Sequence, residues 1–384
     1  MDAIVFLGLG KNQLDFLDYA SKNYSIIGFD QKTEPDGKDY CSYFYQISIL
    51  KKEEILEQVT RLKNIRIKGV ISEQTDNGIE TLAFLNSKLN LHGPKIRTVR
   101  RIRDKYNQRL FAKENDINQP EFFLLKDFKN LLKKKDIKSQ EFLIKPRIGQ
   151  SSVGIKNLKN SFGSNSKLSD ISNLKNWDQF LIESKCKGED ISVDGFVKNK
   201  DIFLTVICKK KKYKTNEFVD QILYGEAFKK NKERKIYKYI IKIVRDFRLN
   251  NCFFHIEIKK RNKDLFLIEL TCRGGGSGLS SKMASSLYEE SLSKIRFSLF
   301  YKDTKITLNM KENVLACMVF FSSKEYSKRY LNNIKSKSIE FFYDVNKECR
   351  NEMISDGTKR PEKIIFSYNS DYHGEIKKLV EKII

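Results

Sequence analysis

Proline, tryptophan and histidine are scarce in this chain of 384 residues, which has 5 prolines, 1 tryptophan and 3 histidines. Because no proline-rich stretch separates one part of the chain from another, we expect domains that share interfaces rather than modules on a linker. The histidines, at positions 92, 255 and 373, are far apart in the sequence. This scatter argues against a zinc site and against a Ser-His-Asp group.

Long apolar runs and paired cysteine motifs are also missing. No apolar stretch approaches the ~18 residues that a membrane-spanning helix needs. The 7 cysteines are odd in number and form no C-x-x-C motif, which predicts reduced thiols and a cytoplasmic protein.

Basic residues are abundant, with 73 Lys and Arg against 49 Asp and Glu and a formal net charge of +24. Lysine is spread along the whole chain, and aromatic residues do not alternate with basic runs as they do on a base-stacking surface. We therefore expect attraction to anionic small molecules, including ATP, and no nucleic-acid partner. A nucleic-acid-binding protein is the contrasting class, and binding that persists at moderate salt would distinguish it. Residues 209–214 (KKKKYK) predict a solvated strand end, or a support for polyphosphate if they face a site.

Residues 254–277, FHIEIKKRNKDLFLIELTCRGGGS, place two acids inside apolar runs that predict the neighbouring strands of a hairpin. Two such carboxylates, Glu257 and Glu269, repel each other unless a cation compensates them. Thr271 and Arg273 follow Glu269 at alternate positions, so all three would face one side of the strand. Either acid alone is typical of an edge strand that pairs with lysine. The pair, followed by the arginine and three glycines, predicts a Mg²⁺–phosphate site.

Residues 141–155, EFLIKPRIGQSSVGI, combine a short apolar strand, Lys145 and a loop of small residues. Backbone N–H groups approach phosphate oxygens closely around a residue such as Gly154, and the hydroxyls of Ser151 and Ser152 add donors. The lysine precedes the loop and no G-K-[ST] follows it, so this is not a P-loop. Such a loop alone is usually a turn, but its order with Lys145 and the acid pair indicates a nucleotide site.

A third segment, residues 179–197 (QFLIESKCKGEDISVDGFV), predicts two strands with a break between them. Glu183 ends the first apolar run, at the position of an interdomain hinge where the backbone of Ser184 and Cys186 would contact an adenine edge. Glu189 follows the turn, and its carboxylate is a strong acceptor for ribose hydroxyls. The alternative is a plain β-hairpin with exposed acids.

Near the N-terminus, three apolar runs alternate with amphipathic segments and predict a small parallel β-α-β sheet at residues 4–7, 26–29 and 67–72. The segment GLGKNQ lacks the third glycine of G-x-G-x-x-G. A dehydrogenase is therefore disfavoured, although Asp30 stands at the distance of a ribose-binding acid. In the segment SEQTD, Glu73 or Asp76 would touch a substrate or cap a helix.

Four segments resemble the ATP-grasp family, in particular carboxylate–amine ligases and the ATP-binding half of carbamoyl-phosphate synthetase and biotin carboxylase. They are RDKYNQRLF, IKPRIGQSSVGI, LIESKCKGEDISVDG and the two-acid hairpin, and the resemblance covers roughly residues 1–300. The resemblance implies a nucleotide-binding set in which two lysines hold the phosphates, a loop covers them, and the remaining residues contact adenine and ribose: Lys105, Lys145, Ser151, Ser152, Gly154, Glu183, Ser184, Cys186 and Glu189.

The same resemblance implies ATP and Mg²⁺, or Mn²⁺ in its place, as cofactors. Glu257, Glu269 and Thr271 would be the metal ligands, and Arg273 and Lys145 the catalytic residues. The family usually has asparagine where this chain has Thr271. Because a hydroxyl is a weaker ligand than a carbonyl, we expect weaker or water-mediated coordination there.

The fold class implied is α/β with an α+β grasp. We expect a parallel-sheet domain at residues 1–97, a two-lobed ATP-grasp core at 98–300 with its lid at about 120–206, and a small β-rich closing domain at 301–384. Residues 98–115 predict one basic helix that leads into the core.

The function implied is ATP-dependent ligation of a carboxylate to an amine through an acyl phosphate, releasing ADP and phosphate. A carboxylase or carbamoyl-phosphate-type enzyme that uses bicarbonate is the enzymatic alternative, and a non-catalytic ATP-binding protein is the other class. The expected partners are small-molecule carboxylates and amines, with no nucleic acid and no membrane. Dimers are common among the proteins that the chain resembles, so a homodimer is an expected assembly.

Overall fold

A computed structural model of the protein describes residues 1–73, 75–124, 127, 141–158, 177–322, 331–346, 349 and 354–382. Within these residues the strands form a four-stranded parallel sheet, a four-stranded antiparallel sheet and an eight-stranded antiparallel sheet.

The N-terminal sheet consists of parallel strands whose bounds are β1 (Asp2–Leu7), β2 (Ser25–Phe29), β3 (Tyr43–Tyr45) and β4 (Arg66–Ile71). Their order in the sheet is β3-β2-β1-β4. The helices that accompany the strands are α1 (Leu14–Ser21), α2 (Lys52–Arg61) and α3 (Ile79–Lys88). Val5 packs in one core with residues of α2 and α3, and Phe6 packs in a second core with residues of α1. The central strand is therefore apolar on both faces, as is typical of a parallel sheet covered on each side.

Two short helices, α4 (Ile96–Arg103) and α5 (Lys105–Glu114), connect this sheet to the rest of the chain. The prediction of a single helix over residues 98–115 is wrong, because Asp104 has an extended conformation (φ −87°, ψ 110°) that separates two helices. Its side chain accepts hydrogen bonds from the backbone N–H groups of Tyr106 and Asn107 and thereby caps α5. This cap places Lys105 at the first position of α5.

The second sheet is antiparallel and consists of β5 (Phe122–Leu124), β6 (Phe142–Pro146), β7 (Lys156–Asn157) and β8 (Phe180–Ser184). The strand order is β5-β8-β6-β7. Strands β6 and β8 are neighbours with Lys145 opposite Leu181, so Lys145 and Glu183 come from adjacent strands.

The third sheet is antiparallel throughout, and its strands are β9 (Glu189–Lys198), β10 (Asp201–Lys212), β11 (Asp220–Ala227), β12 (Cys252–Arg261), β13 (Asp264–Thr271), β14 (Val314–Phe321), β15 (Glu340–Val345) and β16 (Glu362–Asn369). Their order is β13-β12-β9-β10-β11-β14-β16-β15. Strands β11 and β14 pair with Ile222 opposite Val319. The C-terminal strands thus extend the sheet that carries the two acids, while the domain boundaries at residues 97 and 300 stay a prediction.

Further helical segments pack against these sheets, and their bounds are α6 (Arg234–Asp246), a π-helix (Leu279–Met283), α7 (Leu292–Ser298) and α8 (His373–Glu381). In α6 the side chains of Ile236, Ile240, Ile243 and Val244 are buried, a spacing that forms one apolar face of a helix. Among the described helices, none has both the length and the apolar character needed to span a membrane.

Candidate active site

The two predicted metal-binding acids lie directly opposite each other on adjacent strands. Glu257 of β12 is in register with Glu269 of β13, and His255 is in register with Thr271. The register then shifts, so that Ile268 is an extra residue on β13. Bulges of this kind are frequent beside active sites, where they redirect side chains. Here His255, both acids and Thr271 all line one cavity.

Each acid has a cationic partner. Glu257 forms an ion pair with Lys210 and lies 3.3 Å from Nε2 of His255. Glu269 lies 2.9 Å from Nζ of Lys105. Burial alone would raise the pKa of the Glu257 carboxyl, but the Lys210 ammonium and the hydrogen bond from His255 hold that pKa well below its usual range. Glu257 is therefore ionised at neutral pH.

Two facing carboxylates fit the way in which Mg²⁺ binds at nucleotide sites, through one or two carboxylates and the phosphates of the substrate. In the part of the chain that the structure describes, no group of three or more His, Cys, Asp or Glu side chains could hold a metal ion. The assignment of Glu257, Glu269 and Thr271 as metal ligands depends on oxygens that a nucleotide would supply, and it stays a prediction.

Lys145 is anchored in a buried ion-pair network. Its Nζ lies 2.7 Å from one carboxylate oxygen of Glu183, and Nε of Arg109 lies 2.9 Å from the other. All three side chains are at most 6% exposed. Burial lowers the pKa of Lys145 to about 8, although the Glu183 carboxylate opposes this shift. In this arrangement the carboxylate of Glu183 holds the Lys145 side chain in place. This is a structural role in addition to the hinge position predicted from the sequence.

The loop between β6 and β7 has the backbone expected of a phosphate-binding loop. Ser151, Ser152 and Gly154 have φ values of 57°, 59° and 77°, in the left-handed region that L-residues other than glycine rarely adopt. A Cβ atom on Gly154 would lie 2.9 Å from Cγ of Pro146, so glycine is required there. Among the described residues, none accepts a hydrogen bond from the backbone N–H of these three residues. Such N–H groups are available to phosphate oxygens.

Of the backbone N–H groups expected to contact adenine, those of Ser184 and Cys186, only one is available to a ligand. The N–H of Ser184 donates to the carbonyl of Glu121 at 2.9 Å, and the N–H of Lys185 donates to the carbonyl of Glu141 at 2.7 Å. Neither of these donors is available to a ligand. The described contacts leave the N–H of Cys186 unused, and both Ser184 and Cys186 line the cavity.

Glu189, the predicted ribose acid, does not line the cavity. Its carboxylate lies 3.2 Å from Nζ of the exposed Lys209, whereas its neighbour Asp190 does line the cavity and lies 2.8 Å from Nζ of Lys259. Successive side chains on a strand point to opposite faces. The acid that β9 presents to the site is therefore Asp190, one position after the acid selected from the sequence.

Arg273 and Thr271 both contact Asp76, which follows β4 of the N-terminal sheet. The Arg273 guanidinium lies 2.8 and 2.9 Å from the two carboxylate oxygens, and the Thr271 hydroxyl donates to one of them at 2.7 Å. The backbone N–H of Asp76 donates to the Gln150 side chain at 2.8 Å. Asp76 thus joins the N-terminal sheet to β13 and to the loop, which helix capping alone would not require.

The cavity brings together every predicted site residue except Gly154 and Glu189, namely Lys105, Lys145, Ser151, Ser152, Glu183, Ser184, Cys186, Glu257, Glu269, Thr271 and Arg273. It also contains residues outside the predicted nucleotide, metal and catalytic sets: Asp76, which was a candidate substrate contact, Lys210 and Lys212 of the lysine run, and Asp190, Asp220 and Arg360. Lys210 and Lys212 could have been selected from the sequence, because alternate residues of a strand face the same side. In β10, Lys210 and Lys212 are 3% and 21% exposed while Lys209 and Lys211 are 63% and 43% exposed, which is the alternation of a strand with one buried face.

Comparison with known proteins shows which domain the central part of the chain resembles. Residues 138–281 match the family model of an ATP-grasp domain. No curated protein sequence matches the chain significantly. The resemblance to the ATP-grasp family that the sequence segments predicted is thus confirmed over residues 138–281.

Solved structures share the fold over nearly their whole length. Phosphoribosylglycinamide synthetase from Anaerococcus prevotii is 18% identical with a TM-score of 0.72, over 100% of this chain and 98% of that one. L-amino acid ligase from Bacillus licheniformis is 14% identical with a TM-score of 0.76, over 98% and 96%. N5-carboxyaminoimidazole synthetase from Staphylococcus aureus, complexed with ADP, is 13% identical with a TM-score of 0.73, over 98% and 96%. These likenesses confirm the predicted fold class, from the parallel N-terminal sheet to the grasp.

Proposed function

We propose that this protein is an ATP-dependent carboxylate–amine ligase that releases ADP and phosphate. The observation that carries the proposal is the convergence of two lysines, a loop with available backbone donors and two facing acids in one cavity. The names of the solved structures with the same fold describe synthetases and a ligase, and one of them is a complex with ADP. These names support a nucleotide-dependent ligation.

The nucleotide would bind with its phosphates against Lys105, Lys145 and the loop of residues 148–154. The Cys186 N–H would donate to the adenine edge, and we assign the ribose contact to Asp190 in place of Glu189, because only Asp190 lines the cavity. Charged donors beside preorganised N–H groups suit phosphate oxygens.

Glu257 and Glu269, assisted by the Thr271 hydroxyl, would hold Mg²⁺ or Mn²⁺, which neutralises charge on the β- and γ-phosphates when bound. An oxygen of the substrate carboxylate attacks the γ-phosphorus, and the bond to the β–γ bridging oxygen breaks to release ADP. Arg273 stabilises the charge on the transferred group. Lys145, held in place by Glu183, keeps the phosphates in line during this step.

The second step needs no protein nucleophile. An amine attacks the carbonyl carbon of the acyl phosphate, the carbon–oxygen bond to phosphate breaks, and the nitrogen loses a proton as the amide forms. The loop of residues 148–154 would exclude water, which otherwise hydrolyses the acyl phosphate. The substrates are small-molecule carboxylates and amines in this proposal.

The test is phosphorus NMR of Mg·ATP with the pure protein and a pool of amino acids, peptides and amino sugars, with Glu269→Gln as control. ADP and phosphate formed by the wild type alone would support the ligase, and dividing the pool would then identify the acceptor. AMP and pyrophosphate would overturn the mechanism, since they indicate adenylation. ADP release that requires only bicarbonate would favour the carboxylase class.

A non-catalytic ATP-binding protein is the second candidate. Thr271 stands in place of the usual asparagine, and the guanidinium of Arg273 is already paired with Asp76. Both features would weaken turnover without preventing nucleotide binding. Measurable ATP affinity with no product from any pool would favour this candidate.

A further inference from the structure

The cations in the cavity wall are almost all paired with carboxylates. The pairs are Lys105 with Glu269, Lys145 with Glu183, Lys185 with Glu217, Lys210 with Glu257, Lys212 with Asp220, Lys259 with Asp190 and Arg273 with Asp76. Arg360 also lines this cavity. Among the described residues, no carboxylate lies within ion-pair distance of its guanidinium.

The contacts of Arg360 involve neutral groups. Its three nitrogens donate to the carbonyl of Gly357 at 2.9 Å, the carbonyl of Asp220 at 3.3 Å and the hydroxyl of Ser277 at 3.3 Å. The guanidinium also lies 3.6 Å from the ring centroid of Phe320. These contacts fix its orientation, and none of them is made with a carboxylate. The carboxylates of Asp220 and Asp356 act on the guanidinium only through longer-range charge interactions. Burial lowers the pKa of the Arg360 guanidinium, yet arginine remains charged in proteins.

Arg360 is half-buried, and a partly desolvated cation that touches no carboxylate is stabilised when an anionic ligand binds it. Arg360 contacts Ser277, which follows the glycine run after Arg273. The same C-terminal segment touches the phosphate loop, since the N–H of Gly357 donates to the carbonyl of Ser151 at 2.9 Å. The guanidinium therefore lies next to the place where the transferred phosphoryl group and the acceptor would meet.

We propose that Arg360 binds an anionic group, a carboxylate or a phosphate, that belongs to the acceptor substrate rather than to ATP. This inference rests on the proposed ligase function, because it divides the cavity into a nucleotide part and an acceptor part. The nucleotide phosphates already have Lys105, Lys145 and the loop donors. Arg273 is held by Asp76, so Arg360 is the guanidinium available for a second anion.

The test measures anion binding by calorimetry in protein saturated with Mg²⁺ and the non-hydrolysable nucleotide AMP-PNP, which fills the γ-phosphate position. Orthophosphate and succinate are titrated separately, as probes of a phosphate and of a carboxylate group. We expect at least one of them to bind the wild type, and Arg360→Gln to weaken that binding at least about tenfold, consistent with the loss of a charge-assisted hydrogen bond. The anion that binds more tightly identifies the chemical class of the acceptor group.

Lys359→Gln is the matched control, because it removes the same charge one residue away, at a side chain outside the cavity lining. It should leave anion binding unchanged. Arg360→Lys keeps the charge and should retain part of the affinity, which preserves the test if Arg360→Gln fails to fold. AMP-PNP affinity should be unchanged in all three variants.

Three results would overturn the proposal: no binding of either anion to the wild type, anion binding that Arg360→Gln leaves intact, or an equal loss of AMP-PNP affinity in that variant. The last result would assign the guanidinium to the nucleotide. If the wild type binds no AMP-PNP at all, the proposed ligase function fails instead. The anion titration without nucleotide then still decides whether Arg360 binds an anion.

Discussion

Replacing Glu183 by glutamine should destabilise the protein strongly, because this carboxylate compensates two buried cations. Lys145 and Arg109 approach its oxygens at 2.7 and 2.9 Å, and all three side chains are nearly inaccessible. Removing one partner of a buried ion pair costs about 3–5 kcal/mol. Glutamine keeps an oxygen that accepts a hydrogen bond from Arg109, so we expect a loss of about 3 kcal/mol in the free energy of unfolding at pH 6.

The loss should shrink as the pH rises. The pKa of Lys145 is about 8 in the folded wild type, against about 10.4 in an unfolded chain. Without Glu183 the pKa of Lys145 in the folded state falls further. The folded variant therefore loses this proton at a lower pH than the folded wild type does, while the unfolded chain keeps it. As a result, the free energy of unfolding of the variant begins to rise at a lower pH. Above pH 8 Lys145 is largely neutral in both proteins, and less charge is left uncompensated.

Urea denaturation at pH 6 and at pH 9 measures both effects. Glu189→Gln is the control, because the exposed pair of Glu189 with Lys209 should contribute at most about 1 kcal/mol. A loss for Glu183→Gln below about 1 kcal/mol at pH 6, or a larger loss at pH 9, would refute the ion-pair reasoning.

Four further predictions concern the candidate site. The affinity for Mg·ATP should fall as the pH rises through about 8, because Lys145 loses its charge there; calorimetry should show a transition centred at about 8 in the wild type and no transition at that pH in Lys145→Met. Glu269→Gln should lose Mg²⁺-dependent ADP release with an unchanged circular dichroism spectrum, and normal release would contradict the metal assignment. Gly154→Ala should weaken nucleotide binding and cost about 1–2 kcal/mol of stability, since φ is 77° and the new Cβ meets Pro146; an unchanged urea midpoint would contradict this. Thr271→Asn should retain or raise ADP release if metal coordination limits the rate, and a folded but inactive variant would assign the threonine another role.

Local pattern was sufficient for the parts of the site that lie a few residues apart. Glu257 and Glu269 belong to one hairpin, so a short turn and alternating side chains predicted that they face each other. Lys145 and Ser151 lie on one strand-and-loop segment, and their order along the chain carried the resemblance. In such segments the hydrogen-bonded ladder and the turn leave few alternatives.

The choice between Glu189 and Asp190 shows where pattern alone was insufficient. Glu189 and Asp190 both follow the same turn, and either could start the strand. Which of them faces the site depends on register, and the pairing of Asp190 with Lys259 of β12 decides it. A shift of one residue moves a side chain to the opposite face of the sheet.

By itself the sequence determined the class of fold, the two-acid hairpin and the lysine with its loop, because each is encoded by a local run of polar and apolar residues. Only the tertiary structure decided which carboxylate each cation meets. Arg109 reaches Glu183 across 74 residues and Thr271 reaches Asp76 across 195, and Arg360 enters the cavity from the segment that precedes β16. Such contacts depend on how separate sheets pack together. The sequence does not indicate which distant residue a charged side chain will pair with, because the same residue types occur at the surface and in buried ion pairs.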